Sequence, residues 1–469
     1  MKQMRLYFIC LLLLSISGCF PQESRYKAVL HEEGEIIVYL QPLPQEAGRF
    51  RFIIDRISAI RGDGSEIPLS LSFSELKGAE HVRRQKLLAT GTLPPGSYTG
   101  LSIVITKAFV QGEESETALF IPKETVAAEH LFEVRRRQAR ALFLSLNPSG
   151  IITGGIRFTP GFSLVGSGGM LINLTGYVSN SDSNLISVFN KKTMQVVNVI
   201  ASGRGPKGIV LDQRRTRAYV AVSGDDAVEV YDVFKGDLIN KIKLKIGDEP
   251  IDLALTPDGR TLVSVNHSSN TVSIIDAISM FEVERIRVGE GPTSVVVDPS
   301  GFRAYIMNTL SSTISVVDLT QRTVTVTISV EGGPLRGAFN RAGNILYVIG
   351  RDTPNLAVID PSRFSVTEKI FVGMGAAFIK VDVRTGLILV GNRFGGEITV
   401  VEPSASMFID TIQVKGNVAF MTIDRQENTL FVTLPDQRTL QKINLTSKKT
   451  TAEIDVGDGA YAVVVVGES

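Results

Sequence analysis

Tryptophan is absent from this chain of 469 residues, histidine occurs four times and cysteine twice. Both cysteines, Cys10 and Cys19, fall within the first twenty residues. The body that follows therefore has no thiol, which excludes a disulfide framework and a thiolate metal site there. Covalent haem attachment needs a Cys-x-x-Cys-His run, and none is present. The histidines, His31, His81, His130 and His267, are too dispersed to form a cluster in the C-terminal two-thirds, where only His267 lies. The net charge of +1 gives no global attraction to nucleic acid, and no nucleic-acid partner is expected. Beyond the first twenty residues no apolar run is long enough to span a bilayer. Phosphate-binding loops, nucleophile elbows and zinc motifs are likewise missing.

What is present is repetition. Pro206, Pro250, Pro292, Pro334, Ala376, Val418 and Ala460 form one series. Tyr177, Tyr219, Val263, Tyr305, Tyr347, Leu389 and Phe431 form a second, and Asn190, Asp232, Asp276, Asp318, Asp360, Glu402 and Asn444 a third. Each keeps a step of 42 residues apart from one step of 44, whose extra pair is placed in a hairpin at 246–249. A period near 40 with four short β runs per unit is the signature of a β-propeller. In the unit opened by Pro292 the runs are expected at 293–297, 303–308, 313–317 and 323–330. The first unit starts at its second strand, near 174–179, and lacks an inner one. The apolar run 461–466 sits where an eighth unit would begin. Pairing that run with the strand of Tyr177 closes a ring of seven blades and removes an exposed edge. The acids of the third series follow an apolar strand and precede a turn, so they are expected to bond backbone amides rather than do chemistry.

The segments GYVSNSDSNLISVF, AYVAVSGDDAVEVYD, LVSVNHSSNTVSIID, AYIMNTLSSTISVVD and LYVIGRDTPNLAVID resemble the YVTN family of propeller repeats, with LILVGNRFGGEITVVE and LFVTLPDQRTLQKIN as degenerate copies in register. The resemblance covers about residues 171–467 and implies the fold. It implies little about activity, because propellers host many unrelated functions.

The first residues read as an export signal. Lys2 and Arg5 precede an apolar run at 6–16 that is too short for an ordinary membrane helix. It ends in Ile16-Ser17-Gly18-Cys19, which is similar to a bacterial lipobox. That resemblance implies lipidation of Cys19, removal of residues 1–18 and an anchor segment at 19–25. It also implies a tethered protein of the bacterial cell envelope, outside the cytoplasm. The simpler alternative is an ordinary signal peptide with a chance cysteine.

Residues 26–165 lack the 42-residue period and read as strands at 35–40, 50–60, 87–92, 101–106, 117–121, 131–146 and 152–158. A β-sandwich, Ig-like or prealbumin-like, is the natural closure. LPPGSYTGLSIVIT is similar to a bacterial lipoprotein family of unknown function with an LPxGxY turn before a strand. Arg135, Arg136, Arg137 and Arg140 form a basic cluster, read as a solvated strand edge in preference to a contact with anionic lipid. Gly166-Ser167-Gly168-Gly169 reads as a flexible joint, with the propeller occupying 170–469. The whole chain is thus expected to be all-β.

Function is argued from loops, where binding groups concentrate on rigid scaffolds. Loops after the second and outer strands are expected to carry Arg204, Lys207, Asn266, His267, Arg336, Arg351 and Arg393 as a tentative binding face for a protein or glycan. Asn180, Asn266, Asn308 and Asn392 share one position. They are read as closing the hairpin between second and third strands in left-handed geometry, with a ring of amides at the channel mouth as the alternative. The reading is a lipid-anchored, non-enzymatic binding scaffold without cofactor. The alternative is a metal-dependent, lactonase-like hydrolase using Asp225, Asp226, Asp248, Glu249 and Glu290.

Overall fold

A computed structural model describes residues 26–30, 32–112, 115–147, 150–168 and 174–467. Cys19, with the leader and anchor segment, lies outside the described residues, as do Gly169 and Met170 at the joint. No helix among the described residues is long and apolar enough to cross a membrane.

Seven four-stranded antiparallel sheets follow one another from Thr175 onward. Blade 4 shows the plan: Pro292–Val297 innermost, then Arg303–Asn308, Thr313–Asp318 and Thr323–Ser329. Because successive strands alternate in direction, the loops after the second and outer strands emerge on one face, here called upper. The other turns emerge on the lower face. Blade 1 is built from both ends of the propeller region. Ala460–Val465 pairs with Thr175–Asn180, matching Val464 to Tyr177 and Val465 to Gly176. Blades 2, 3, 5, 6 and 7 begin at Pro206, Pro250, Pro334, Ala376 and Phe420.

Local chemistry repeats with the blades. The acid or amide ending each third strand accepts backbone amides of the next turn: Asp276 from Ile278 and Ser279, Asp318 from Thr320 and Gln321, Asn444 from Thr446 and Ser447. Left-handed residues recur after the second strand in six of the seven blades, at Asn184, Asp226, Asn270, Ser312, Gly396 and Arg438, with Pro354 at the position in blade 5. A second left-handed series, at Met194, Gly236, Met280, Arg322, Phe364, Ser406 and Lys448, turns each chain into its outer strand. The recurring tyrosine ties neighbouring blades. Tyr177 donates to the Val233 carbonyl at 2.8 Å and Tyr219 to that of Ala277 at 3.0 Å.

Asn180, Asn266 and Asn308 are buried strand-end residues, and none of them is left-handed. Their amides instead bridge to the third strand. Asn266 donates to Thr271 and Ser273, Asn308 to Thr313 and Ser315, and Asn180 to Ser187. Hairpin closure is therefore their role, but the left-handed turn belongs to the residue four positions on. The two extra residues also differ in setting. Segment 244–249 joins the outer strand of blade 2 to the inner strand of blade 3 and is not a hairpin.

The N-terminal domain is one curled sheet wrapped over a single core that includes Phe52, Ile54, Ile57, Leu88, Tyr98, Ile103 and Leu144. Its two sandwich-like layers are joined through Glu66–Leu71, which pairs with both Phe50–Arg61 and Lys86–Leu93. In Phe50–Arg61 the register shifts beside Ile54, so the inward set passes from Phe52 and Ile54 to Ile57 and Ala59. Such shifts hide a simple alternation. The expected strand at 131–146 is two strands that do not pair with each other: Thr125–Val134 lies against Gly96–Gln111 and Ala139–Asn147 against Gly34–Leu40, with the chain turned between them through left-handed Arg137. Its apolar flanks gave no turn signal, since the turn has neither glycine nor proline. The basic cluster sits at this turn, where Arg135 pairs with Glu133 and Arg136 with Glu32.

The glycine-rich joint does not leave the domains independent. The outer surface of the curled sheet places Ile37, Tyr39, Ala141 and Phe143 in one apolar cluster with Phe189, Val196, Phe431, Leu440 and Val463 of blades 1 and 7. Around it, Arg84 pairs with Glu453 and Asp455, and Gln85 bonds both backbone groups of Val196. Burial of this kind fixes the relative placement more firmly than the composition of a linker.

Candidate functional site

The seven residues expected on one binding face separate into three settings. Arg204, His267, Arg351 and Arg393 lie on upper-face loops, and of these Arg351 and Arg393 are in contact. Arg204 pairs with Asp225 at 2.7 Å, His267 Nδ1 lies 2.9 Å from the Pro292 carbonyl, and Arg393 donates to the Arg351 carbonyl. Asn266 is buried inside blade 3, as described above. Lys207 and Arg336 are on inner strands, Pro206–Asp212 and Pro334–Phe339, and not on loops.

Arg336 reaches across the central channel. Its guanidinium bonds Asp252 of blade 3 at 3.3 Å and the Tyr461 hydroxyl of blade 1 at 3.3 Å. It lies 4.9 Å from the ring centre of Phe378 and 5.4 Å from that of Phe420, in blades 6 and 7. Burial raises the Asp252 carboxyl above its usual value despite the attraction of Arg336. One side chain from blade 5 thus ties together four other blades and fills the middle of the ring.

A more open site lies between the two domains. A cleft of about 380 Å³ is bounded on one side by 27–30, Glu35 and Arg137, and on the other by the upper edge of blades 1 and 2. Its floor is an ionic network. Glu229, on Ala227–Asp232, accepts from Ser202 Oγ and Gly203 N at 3.0 Å, from the Tyr231 hydroxyl at 2.5 Å, and from Lys241 Nζ at 3.1 Å. Lys241, on Leu238–Lys243, also reaches Asp225 at 2.6 Å. Burial opposes ionisation of Asp225, but hydrogen bonds from Lys241 and Arg204 outweigh it and hold the carboxyl below its usual range. Burial, then the charge of Glu229, raises the Tyr231 hydroxyl well above its ordinary value, so it stays protonated and donates a hydrogen bond throughout the physiological range. From the other domain, Lys27 pairs with Glu35 at 2.9 Å, and Asn184 of blade 1 donates to the Lys27 carbonyl. The charges lining the cleft are balanced within it.

The family model for YNCE-like β-propellers matches residues 175–468. The chain belongs to that family. Among solved structures, the YNCE-like ring is similar to Kuenenia stuttgartiensis hydrazine synthase, at 16% identity and TM-score 0.51, over 56% of this chain and 90% of that one. A protein of unknown function from Desulfotomaculum acetoxidans DSM 771 matches at 12% identity and TM-score 0.56, over 63% and 99%. A Bacteroides uniformis ATCC 8492 protein provisionally assigned as a 6-phosphogluconolactonase matches at 16% and 0.53, over 62% and 99%. At these identities the likeness is one of fold. No curated protein matches the chain.

Blade 2 of this YNCE-like propeller departs from its sisters where the cleft forms. Glu229 stands where the other blades have Ser187, Ser273, Ser315, Ala357, Thr399 and Gln441. Asp225 stands where they have Ser183, Ser269, Ser311, Thr353, Gly395 and Gln437. An acid replacing a small neutral residue in one repeat was the available signal for Glu229, and reading loops alone missed it. Lys241 and Tyr231 carried no signal of their own. Of the acids considered for a metal, Asp225 is engaged by two bases, Asp248 pairs with Arg285 at 2.7 Å, and Asp226 accepts the amides of Gly247 and Glu249. Among the described residues no three metal-ligating side chains converge.

Proposed function

We propose that the protein is a lipid-anchored binding protein of the bacterial cell envelope, held outside the cytoplasm through Cys19. In this reading it is not an enzyme and needs no cofactor. Its ligand, a glycan or a peptide segment, seats in the cleft between the curled sheet and blade 2. The observation that carries the reading is the Arg204–Asp225–Lys241–Glu229–Tyr231 network, in which two cations balance two carboxylates. A site of that kind offers fixed hydrogen-bonding groups to a neutral or zwitterionic ligand without attracting free ions. The Arg336 tie across the channel supports it too, because it occupies the central position where a propeller would otherwise admit a substrate.

Saturation-transfer NMR against N-acetylated and plain disaccharides and against tripeptides tests the proposal. Contact is expected for one class, and Lys241→Ala is expected to weaken it at least tenfold. Equal binding by the parent and Lys241→Ala sinks the cleft assignment. Stoichiometric bound metal, with lactone hydrolysis lost on chelation, replaces the binding reading by the hydrolase.

A further inference from the structure

We propose that segment 244–249 is a membrane-contacting finger, with Ile246 entering the lipid surface to which the N-terminus is tethered. The inference rests on the anchored reading given above. It starts from the one irregularity in the repeat. Segments 202–205, 288–291, 330–333, 372–375 and 456–459 connect an outer strand to the next inner strand with four residues, and 244–249 and 414–419 with six. Only 244–249 lengthens the repeat, since Pro206 to Pro250 is 44 residues while Ala376, Val418 and Ala460 keep the step of 42.

The enlarged connection is braced. Asp226, itself left-handed, accepts the amides of Gly247 at 3.0 Å and Glu249 at 2.9 Å through its carboxylate, and the Leu244 amide through its carbonyl at 2.8 Å. Asp248 accepts the Lys245 amide at 2.8 Å and is fixed in turn by Arg285. On this base Ile246 is 99% exposed, flanked by exposed Lys243 and Lys245. An isoleucine held out on a fixed loop between lysines combines an apolar tip with the charge that an anionic headgroup layer attracts.

The tether argues for lipid over another occupant. Tyr26 lies against blade 2 on the same face: a Cβ at Gly224 would come within 2.8 Å of its ring, and one at Gly205 within 2.5 Å. Gly224 is two residues from Asp226, the residue that braces the finger. Cys19 precedes Tyr26 by seven residues, a reach of at most about 25 Å. An acylated Cys19 therefore keeps the bilayer surface close to the upper-face loops of blades 1 and 2.

The absence of tryptophan from the sequence makes the test direct. Ile246→Trp gives a single-tryptophan protein, and Phe302→Trp places the reporter on the lower face, where Phe302 is 63% exposed. Full-length acylated protein is reconstituted in phosphatidylglycerol-containing vesicles, with and without brominated acyl chains, and flotation is followed in parallel. Expected are a blue shift and at least twofold quenching for Ile246→Trp, with solvent-like emission for Phe302→Trp. Flotation with solvent-like emission from Ile246→Trp overturns the finger and leaves the anchor standing. Failure to float, with Cys19 unmodified by mass spectrometry, overturns both. A blue shift that needs an added envelope protein and no lipid assigns the finger to a protein partner and overturns the proposal.

Discussion

The Lys191 ammonium lies 2.7 Å from the Asp424 carboxylate, with side-chain exposures of 2% and 0%, and joins blade 1 to blade 7. The same ammonium donates to the Val466 carbonyl at 2.8 Å, just past the closing strand. The pair therefore locks the seam where the two ends of the ring meet. Truncating one member leaves a buried charge without its counterion, which costs about 3–5 kcal/mol. Lys191→Ala is expected to lose stability in that range by urea unfolding. Lys191→Met combined with Asp424→Asn removes both charges and keeps the caps that Asp424 provides to Gln426 and Glu427. It should recover more than half of the loss. A cost below about 1 kcal/mol for Lys191→Ala would show that the seam does not depend on the pair.

The shared apolar cluster couples the unfolding of the two domains. Tyr39 and Phe143, with ring centres 6.1 Å apart, contribute its aromatic surface from the curled sheet. Phe→Ala at buried sites costs about 3–5 kcal/mol. Calorimetry of the parent is expected to give one transition, and Tyr39→Ala with Phe143→Ala to give two. Two transitions in the parent, or a single shifted one in the double variant, count against the coupling.

Acid sensitivity follows from Asp225. Its folded carboxyl is held below its usual value, so as pH falls the unfolded chain takes up the proton first. The stabilisation is fully present above the unfolded value of roughly 3.9 and is lost as pH drops through the folded one. Asp225→Asn is expected to cost about 1.5–3 kcal/mol at pH 7, the range for hydrogen bonds to charged partners. The gap to the parent should close below about pH 4 in urea melts taken across the series. A gap that stays constant to pH 3 assigns the effect to shape rather than charge.

The ring was legible because its determinants are local and repeated. Asp276, Asp318 and their equivalents mark turns, Pro250 and Pro292 open inner strands, and the valines of 461–466 announce the missing strand. The N-terminal strands were less legible where the register shifts beside Ile54 and where Arg137 turns the chain from one strand to the next without glycine or proline. The interface was hidden for a different reason. Ile37 and Tyr39 alternate with Ile36 and Val38 in a strand whose seven residues are all buried, and no local pattern tells which second surface covers the outward set. Arg336 looked like a loop cation because four blades, widely separated in sequence, converge on it only in the closed ring.

Synthesis runs from the N-terminus, which gives the seam a consequence in time. The outward face of the curled sheet is made before the propeller, yet its partners in blade 7 and in Ala460–Val465 follow only after the other six blades. Until residue 466 is available, Thr175–Asn180 has a bare edge and the cluster around Tyr39 and Phe143 lacks Ala460, Val463 and Val465. A stalled or clipped chain therefore shows an unpaired strand beside an apolar patch, the features that mark an unfinished protein for aggregation or removal. Addition of Ala460–Val465 hides the strand edge and completes the cluster, so ring closure waits until every preceding blade is in place.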